Sequence, residues 1–389
     1  MLKKLSQFHN DYGTMAICMG VFYILVYTPF WGPAWVGVIA GLTIGLTFIQ
    51  GHYKSFAIEH RYFLIALLAF FVINIISSQL PVKATIGAVS VLKGLMIYPA
   101  ALLAGRVMSE NHFNRLAMVF LFVNSLFLLA LLLWVVNWDK TYFSLASWSE
   151  HHVGNLHNLD NLVYISDLLA LTLLLKVQDL RVKLLAGTSL LLFIFVSVLV
   201  QSEGSTLALA VCLMALIALY SGGRWKILFI GSALLPVMFL HVFYFNPALF
   251  TELTGSSSQT MIIRSEIYSQ LINAWLQYPW SGWGLNTYKY VEETHVNGQA
   301  FLYPHHIYLE GLFSLGLLGC GLILVWIVTM LRKIDSTKIP SSTISLFAFI
   351  ALIYISVKGM SDMKLLSQQT IGWLAACIGI LHGQTKRSD

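Results

Sequence analysis

Apolar runs of about 16 to 24 residues recur along the chain, and this feature limits its fold more than any other. Coiled as a helix, a run of about 20 apolar residues crosses the roughly 30 Å of hydrocarbon in a bilayer. Such runs lie near 14–30, 33–50, 61–80, 84–105, 114–136, 162–176, 183–201, 205–221, 225–245, 306–330, 342–360 and 364–382. The 389 residues are 58% hydrophobic and 10% charged, with a mean hydropathy of +0.76, outside the range of a water-soluble domain. The sequence therefore predicts an all-α, polytopic, multi-pass membrane protein of about 12 transmembrane helices, a single membrane domain over 1–389 with the lipid bilayer as its solvent.

Basic residues fall in alternate gaps between the runs: Lys3 and Lys4, Lys54 and Arg61, Arg106 and Arg115, Lys176 with Arg181 and Lys183, Arg224 and Lys226, Arg332 with Lys333 and Lys338, and Lys386 and Arg387. Cytoplasmic loops carry such an excess, so the net charge of +6 is an orientation signal and calls for no nucleic acid partner. The first run lacks a small-residue cleavage site and reads as a retained helix. Cys18, Cys212, Cys320 and Cys377 lie in apolar runs without a CxxC, as packing residues do.

On the side opposite these basic gaps two connections are long, 137–161 and 246–305. Long loops in such bundles carry function. Within the second, between the ninth and tenth spans, Ile263, Ile267, Leu271, Ala274 and Tyr278 recur at helical spacing, with Arg264, Ser265, Glu266, Ser269 and Gln270 largely on other faces. That pattern predicts an amphipathic helix, ended by Pro279 and followed by the glycine-rich turn SGWGLN. The loop returns through Pro304 to His305 and His306 at the mouth of the tenth span. A neutral imidazole there accepts a proton from a hydroxyl, and a helix N-terminus favours the neutral form. An interfacial histidine bonded to a loop carbonyl is the alternative.

His305, ten residues, then Gly316, Leu317, Leu318 and Gly319, with His306 in a polar slot, resembles the H-[polar]-x9-G-x-x-G signature of the O-antigen ligase and Wzy-type polymerase superfamily. RSEIYSQLINAWLQYPWSGWGLNTY, residues 264–288, resembles that superfamily's arginine-led helix followed by a proline and a G-x-G turn. The resemblance implies a GT-C-type glycosyltransferase in the bacterial inner (cytoplasmic) membrane, with its active site facing the periplasm and the 246–305 loop as its main periplasmic element. In the ligases, a glycan on undecaprenyl diphosphate moves to a sugar hydroxyl of the lipid A core by inverting displacement. Donor and acceptor would thus be an undecaprenyl diphosphate-linked glycan and the lipid A-core. His305 suits the base, with His306 as the neighbour that orients substrate, although either imidazole fits the proton transfer. Arg264 suits the departing diphosphate, since a guanidinium pairs with phosphate oxygens and keeps its charge.

One position departs from the family pattern. Members commonly carry an arginine separated by three residues from a leucine near the outer end of span seven; in QSEGSTLAL, residues 201–209, Leu207 is present but Glu203 fills the arginine slot. Another cation takes the role, the register is shifted, or the residue is a changed one. Lys93, which interrupts the apolar run 84–105, is a candidate substitute, or else a buried partner for Asp167. Lys364 and Lys358 stand near the outer ends of the last two spans, where they reach a phosphate or anchor at the surface. Glu150, His151, His152, His157 and Asp160 cluster in the first long loop, but H-H-x4-H is no zinc motif. Asn161 ends GNLHNLDN, a segment similar to one entering span six in the family, which implies sugar or acceptor contacts. No D-x-D occurs in the chain, so neither metal nor cofactor is expected. The ligase reading leads, ahead of an O-antigen polymerase and a protein O-oligosaccharyltransferase. A secondary transporter would also have about twelve spans, with ionisable residues such as Lys93 and Asp167 at mid-membrane.

Overall fold

The computed structural model describes residues 13–24, 33–138, 156–200, 203–221, 246, 248, 259–296, 304, 306–360 and 368–386. The described chain is helical almost throughout. The first helices are α1 (Gly13–Ile24), α2 (Pro33–Ile49), α3 (His52–Glu59) and α4 (Arg61–Ser77). Next come α5 (Pro81–Leu95), α6 (Ile97–Val107), α7 (Glu110–Trp138), α8 (Leu156–Lys176), α9 (Leu180–Val200) and α10 (Glu203–Tyr220). Last are α11 (Gln259–Gln277), α12 (Ile307–Arg332), α13 (Thr343–Lys358) and α14 (Gln368–Lys386).

The expectation of about twelve membrane-spanning helices does not hold. Among the described residues three helical segments are long and apolar enough to cross a bilayer: Pro81–Val107, Glu110–Leu133 and Ile307–Arg332. The physical reason is length. Arg61–Ser77, Gly204–Tyr220 and Thr343–Lys358 are apolar but 10–17 residues long. At about 1.5 Å per residue, even 17 residues reach only about 25 Å, short of the hydrocarbon thickness. An apolar run also arises when a helix is enclosed by protein, and α13 is of that kind, with Ile344, Phe347, Ile350, Ala351 and Tyr354 all at most 1% exposed. The run at 225–245 lies outside the described residues. Residues 259–296, within the connection expected between the ninth and tenth spans, fold against α12 as a helix and a tight turn.

Two apolar clusters organise the bundle. The larger joins α1 to α10 with α12, α13 and α14, and includes Phe113, Leu168, Phe193, Phe347 and Trp373. The smaller is built from Ile267, Tyr268, Leu271 and Ala274 of α11, Trp283, Tyr288, Val291 and Val296 after it, and Phe313 of α12. The second cluster fixes α11 against the first turns of α12, and so positions the candidate site.

Candidate active site

Helix α12 begins at Ile307 with His306 as its N-cap. His306 is extended (φ −149°, ψ 104°), and its Nδ1 accepts a hydrogen bond from the Leu309 N–H at 3.3 Å. Such a bond satisfies one of the amides a helix start leaves open. It requires Nδ1 to be unprotonated, so a neutral His306 carries its proton on Nε2. The ring is 3% exposed. One turn on, the Glu310 N–H donates to the His306 carbonyl at 2.9 Å, and the Glu310 side chain is buried.

Helix α11 approaches this cap side-on. The Tyr268 ring stands edge-on to the His306 ring, with centroids 5.2 Å apart and planes at 87°. Arg264, half-buried, lies one turn before Tyr268 on the same face of α11.

Beyond α11 the chain turns through Gly282 (φ 69°) and Gly284 (φ 109°), in the left-handed region that glycine enters at little cost. This turn fills a break in α12. Gly316 sits at φ 61°, ψ −172°, which interrupts the helical bonding and frees backbone groups on either side. The Trp283 N–H donates to the Phe313 carbonyl at 2.8 Å, and the Gly284 N–H to the Ser314 carbonyl at 3.2 Å. In return the Leu317 N–H donates to the Pro279 carbonyl at 2.9 Å, and the Leu318 N–H to the Trp280 carbonyl at 3.2 Å. Asn74 of α4 closes the join: its Nδ2 donates to the Ser281 and Ser314 carbonyls at 2.7 and 3.0 Å, and its Oδ1 accepts from the Leu285 N–H at 3.2 Å. The Ser78 hydroxyl adds a bond to the Trp283 carbonyl at 2.9 Å.

The C-terminus of α13 meets the same end of α12. The Ile307 N–H donates to the Gly359 carbonyl at 2.7 Å, and the Tyr308 hydroxyl to the Ser356 carbonyl at 3.1 Å. Lys358, 0% exposed, donates from Nζ to the Ser205 Oγ at 2.5 Å in the first turn of α10. Ser205 also accepts from the Tyr354 hydroxyl at 3.2 Å. Near the small cluster, burial pushes the Tyr288 phenol above its usual pKa and the Glu310 charge adds to the shift, so Tyr288 stays protonated across ordinary pH. An open cleft of about 310 Å³ lies on the other side of Trp283, lined by Gln79, Leu80, Thr287, Tyr290, Glu292 and Glu293 among others. The Lys83 and Lys289 ammonium groups sit 4.4 and 4.8 Å from the centre of the Tyr290 ring.

Of the residues singled out in the sequence, His306 caps α12 against Tyr268, and Arg264 lies one helical turn from Tyr268 on α11. His305 and Lys364 lie outside the described residues, as do Glu150, His151 and His152. Asn161 is on α8 and Glu203 heads α10, their side chains outside the described set. Lys93 is exposed on the last turn of α5, so it forms no buried pair with Asp167, which is 0% exposed. No group of three His, Cys, Asp or Glu able to hold a metal is found among the described residues. Sequence reading passed over Asn74, Tyr268, Ser205 and Glu310. Asn74 left a signal, being an amide inside the apolar stretch FFVINII, where a polar side chain needs a partner.

No curated protein matches the chain. A family model described as O-antigen ligase matches residues 188–324, a segment that holds α10, α11, the glycine turn, His305, His306 and most of α12. Over that part of its length the chain is similar to the O-antigen ligase family.

Proposed function

We propose that the protein is an O-antigen ligase, transferring a glycan from undecaprenyl diphosphate to a sugar hydroxyl of the lipid A-core, with its site on the periplasmic side of the cytoplasmic membrane. The observation that supports this reading is the packing of Tyr268, one helical turn from Arg264 on α11, against the histidine cap of α12, inside the segment that the family model matches. In the reaction the acceptor oxygen attacks the anomeric carbon on the face opposite the diphosphate. The carbon–oxygen bond to the diphosphate breaks, its electron pair leaves with the phosphate oxygen, and the hydroxyl proton passes to an imidazole. The anomeric configuration inverts.

The capping bond favours a division of labour between the two histidines. Nδ1 of His306 is engaged by the Leu309 amide, which supports His306 as the residue that holds and orients the helix mouth. His305, next to it, takes the proton. Arg264 faces the charge that develops on the departing diphosphate, where a fixed cation in a water-poor site lowers the barrier most. The roles need no divalent metal, consistent with the absence of D-x-D from the chain.

The test is complementation of a host lacking the gene, read on a lipopolysaccharide gel. Wild type should restore polymer-bearing lipopolysaccharide, and His305→Ala should leave core-only lipopolysaccharide with glycan stranded on its lipid carrier. Arg264→Ala should lower turnover about 10²- to 10³-fold with the protein still inserted, the usual loss for one electrostatic stabiliser. Core bearing a single repeat in the deleted host would mean a polymerase instead. Near-normal activity in both folded variants would remove the proposed site.

A further inference from the structure

We propose that the cleft between the α4–α5 corner and residues 283–293 binds an acidic sugar, a saccharide unit bearing a phosphate or a carboxylate. The inference rests on the ligase reading for the source of that sugar, either the lipid-linked glycan or the core, and on the following geometry for its place. One wall is Gln79 and Leu80, with Lys83 in the first turn of α5 beside them; the other is the loop from Trp283 to Glu293. Helix α5 packs closely on that loop, since a Cβ on Gly87 would lie 2.5 Å from the Leu285 Cβ, and Lys83 stands one turn before Gly87 on the same face. The Ser78 hydroxyl ties the corner to the Trp283 carbonyl, and Gln79 Nε2 donates to the Tyr278 hydroxyl at 3.2 Å. Within the loop the Thr294 hydroxyl reaches the Tyr288 and Val291 carbonyls, both at 2.7 Å, and the Thr287 hydroxyl donates to the Gly284 carbonyl at 2.7 Å. Both walls are thus held by the protein's own bonds, as in a preformed ligand site.

The charges around the cleft are of both signs. The Lys83 and Lys289 ammonium groups gather on one ring, that of Tyr290, and their bonds to its phenol, Lys83 first, hold its pKa below the usual value. Among the described residues neither lysine forms an ion pair. Like charges so placed repel, and an anion between them relieves the repulsion. Glu292 and Glu293 add carboxylates, which accept hydrogen bonds only, and Gln79 adds an amide that donates and accepts. A bare phosphate suits the lysines and is repelled by the glutamates. A ligand with one acidic group and several hydroxyls answers both, its acid on the ammonium groups and its hydroxyls donating to the carboxylates. The volume of about 310 Å³ is at the lower end of the roughly 300–1,000 Å³ of small-molecule sites, which suits a sugar unit rather than a long chain. Trp283 links the cleft to the candidate active site: its ring stacks on Phe313 of α12, with centroids 6.1 Å apart, and its indole N–H donates to the Ala274 carbonyl of α11 at 2.7 Å. Gln79, Leu80 and Lys83 lie outside residues 188–324, so this wall takes nothing from the family match. An anionic lipid headgroup is the competing occupant, and it has no use for the two carboxylates.

Direct binding separates the two. The full-length protein in phosphatidylcholine nanodiscs would be titrated with glucose 6-phosphate, glucose and inorganic phosphate, followed by ligand-observed NMR. Wild type should bind glucose 6-phosphate at least about 10-fold more tightly than either of the others. Lys83→Met should weaken glucose 6-phosphate about 10- to 100-fold, the usual effect of losing a charge-assisted bond. Glu293→Gln, a change at an exposed side chain, provides a reading if Lys83→Met does not fold, and it should weaken the sugar phosphate by a few-fold while inorganic phosphate binds no worse. Core oligosaccharide freed from lipid A should displace glucose 6-phosphate if the acceptor is the source, and glycan released from its lipid carrier should do so if the donor is. Displacement by neither oligosaccharide, displacement by phosphatidylglycerol, inorganic phosphate bound as tightly as the sugar phosphate, or unchanged affinity in Lys83→Met would overturn the proposal. Wild type that binds the acidic sugar but transfers no glycan would remove the ligase reading and leave the cleft assigned, whereas transfer without sugar binding would remove the cleft alone.

Discussion

Replacing Gly316 by alanine sets one methyl group against the turn that locks α11 to α12. The new Cβ would lie 2.3 Å from the Trp280 carbonyl oxygen, 2.4 Å from its carbon and 2.6 Å from the Gly282 nitrogen, all backbone atoms that no side-chain rotation moves aside. The backbone itself, at φ 61° and ψ −172°, is a conformation that costs a non-glycine residue about 1–3 kcal/mol. To relieve the overlap the turn must lift, and its bonds from Trp283, Gly284, Leu317 and Leu318 then weaken together. At about 1 kcal/mol net for each backbone bond, with some regained from water, the total cost is roughly 3–6 kcal/mol. For a chain of this size that lowers the apparent Tm by roughly 5–10 °C. The assay is thermal unfolding of the purified protein in detergent, followed by turnover in the proposed ligase reaction. The control is Gly321→Ala, also on α12, whose Cβ meets nothing within 4 Å and which should be neutral or gain up to about 1 kcal/mol from helix propensity. Equal unfolding temperatures for Gly316→Ala and Gly321→Ala would refute the interlock.

Three further outcomes follow. Asn74→Leu removes two donated bonds and one accepted bond, leaving the Ser281 and Ser314 carbonyls and the Leu285 amide in an apolar setting; it should cost about 2–4 kcal/mol in unfolding and lower turnover with it. His306→Asn keeps a good capping side chain whereas His306→Ala loses about 0.5–2 kcal/mol of helix start, so the asparagine variant should retain clearly more activity; parity between them would argue that the imidazole acts chemically. At the opposite end of α12, burial raises the Glu59 pKa, but the Lys333 ammonium at 2.8 Å and that of Lys386 at 3.8 Å outweigh it and hold the net value below normal. A depressed folded pKa stabilises above the usual glutamate value, and that contribution is lost as pH falls through the lowered one. Glu59→Gln should therefore flatten the acid side of the Tm–pH curve, and superimposable curves would count against the pair.

What the sequence revealed and what it hid differ by the range of the interactions involved. The buried face of α11 was legible, because Ile263, Ile267, Leu271 and Ala274 repeat with the helix and need only local periodicity to be seen. The number of spans was not, because an apolar run has one composition whether lipid or protein surrounds it, and α13 is surrounded by protein. Lys358 was visible as a cation near a helix end, but its bond to Ser205 joins residues distant in the chain, and no local pattern marks it. The glycines show most clearly what spacing alone leaves out. A Cβ on Gly282 would meet the Ser314 carbon at 2.6 Å and the Gly316 nitrogen at 2.7 Å, and a Cβ on Gly316 would meet the Gly282 nitrogen at 2.6 Å. The glycine of the turn and the glycine after the histidines are thus the two halves of one contact. Close backbone approach there brings α11 to the cap of α12, where Tyr268 meets His306. The arginine-led helix, the G-x-G turn and the histidine followed by G-x-x-G belong together for a mechanical reason, since none of the three holds its position against the others without the remaining two.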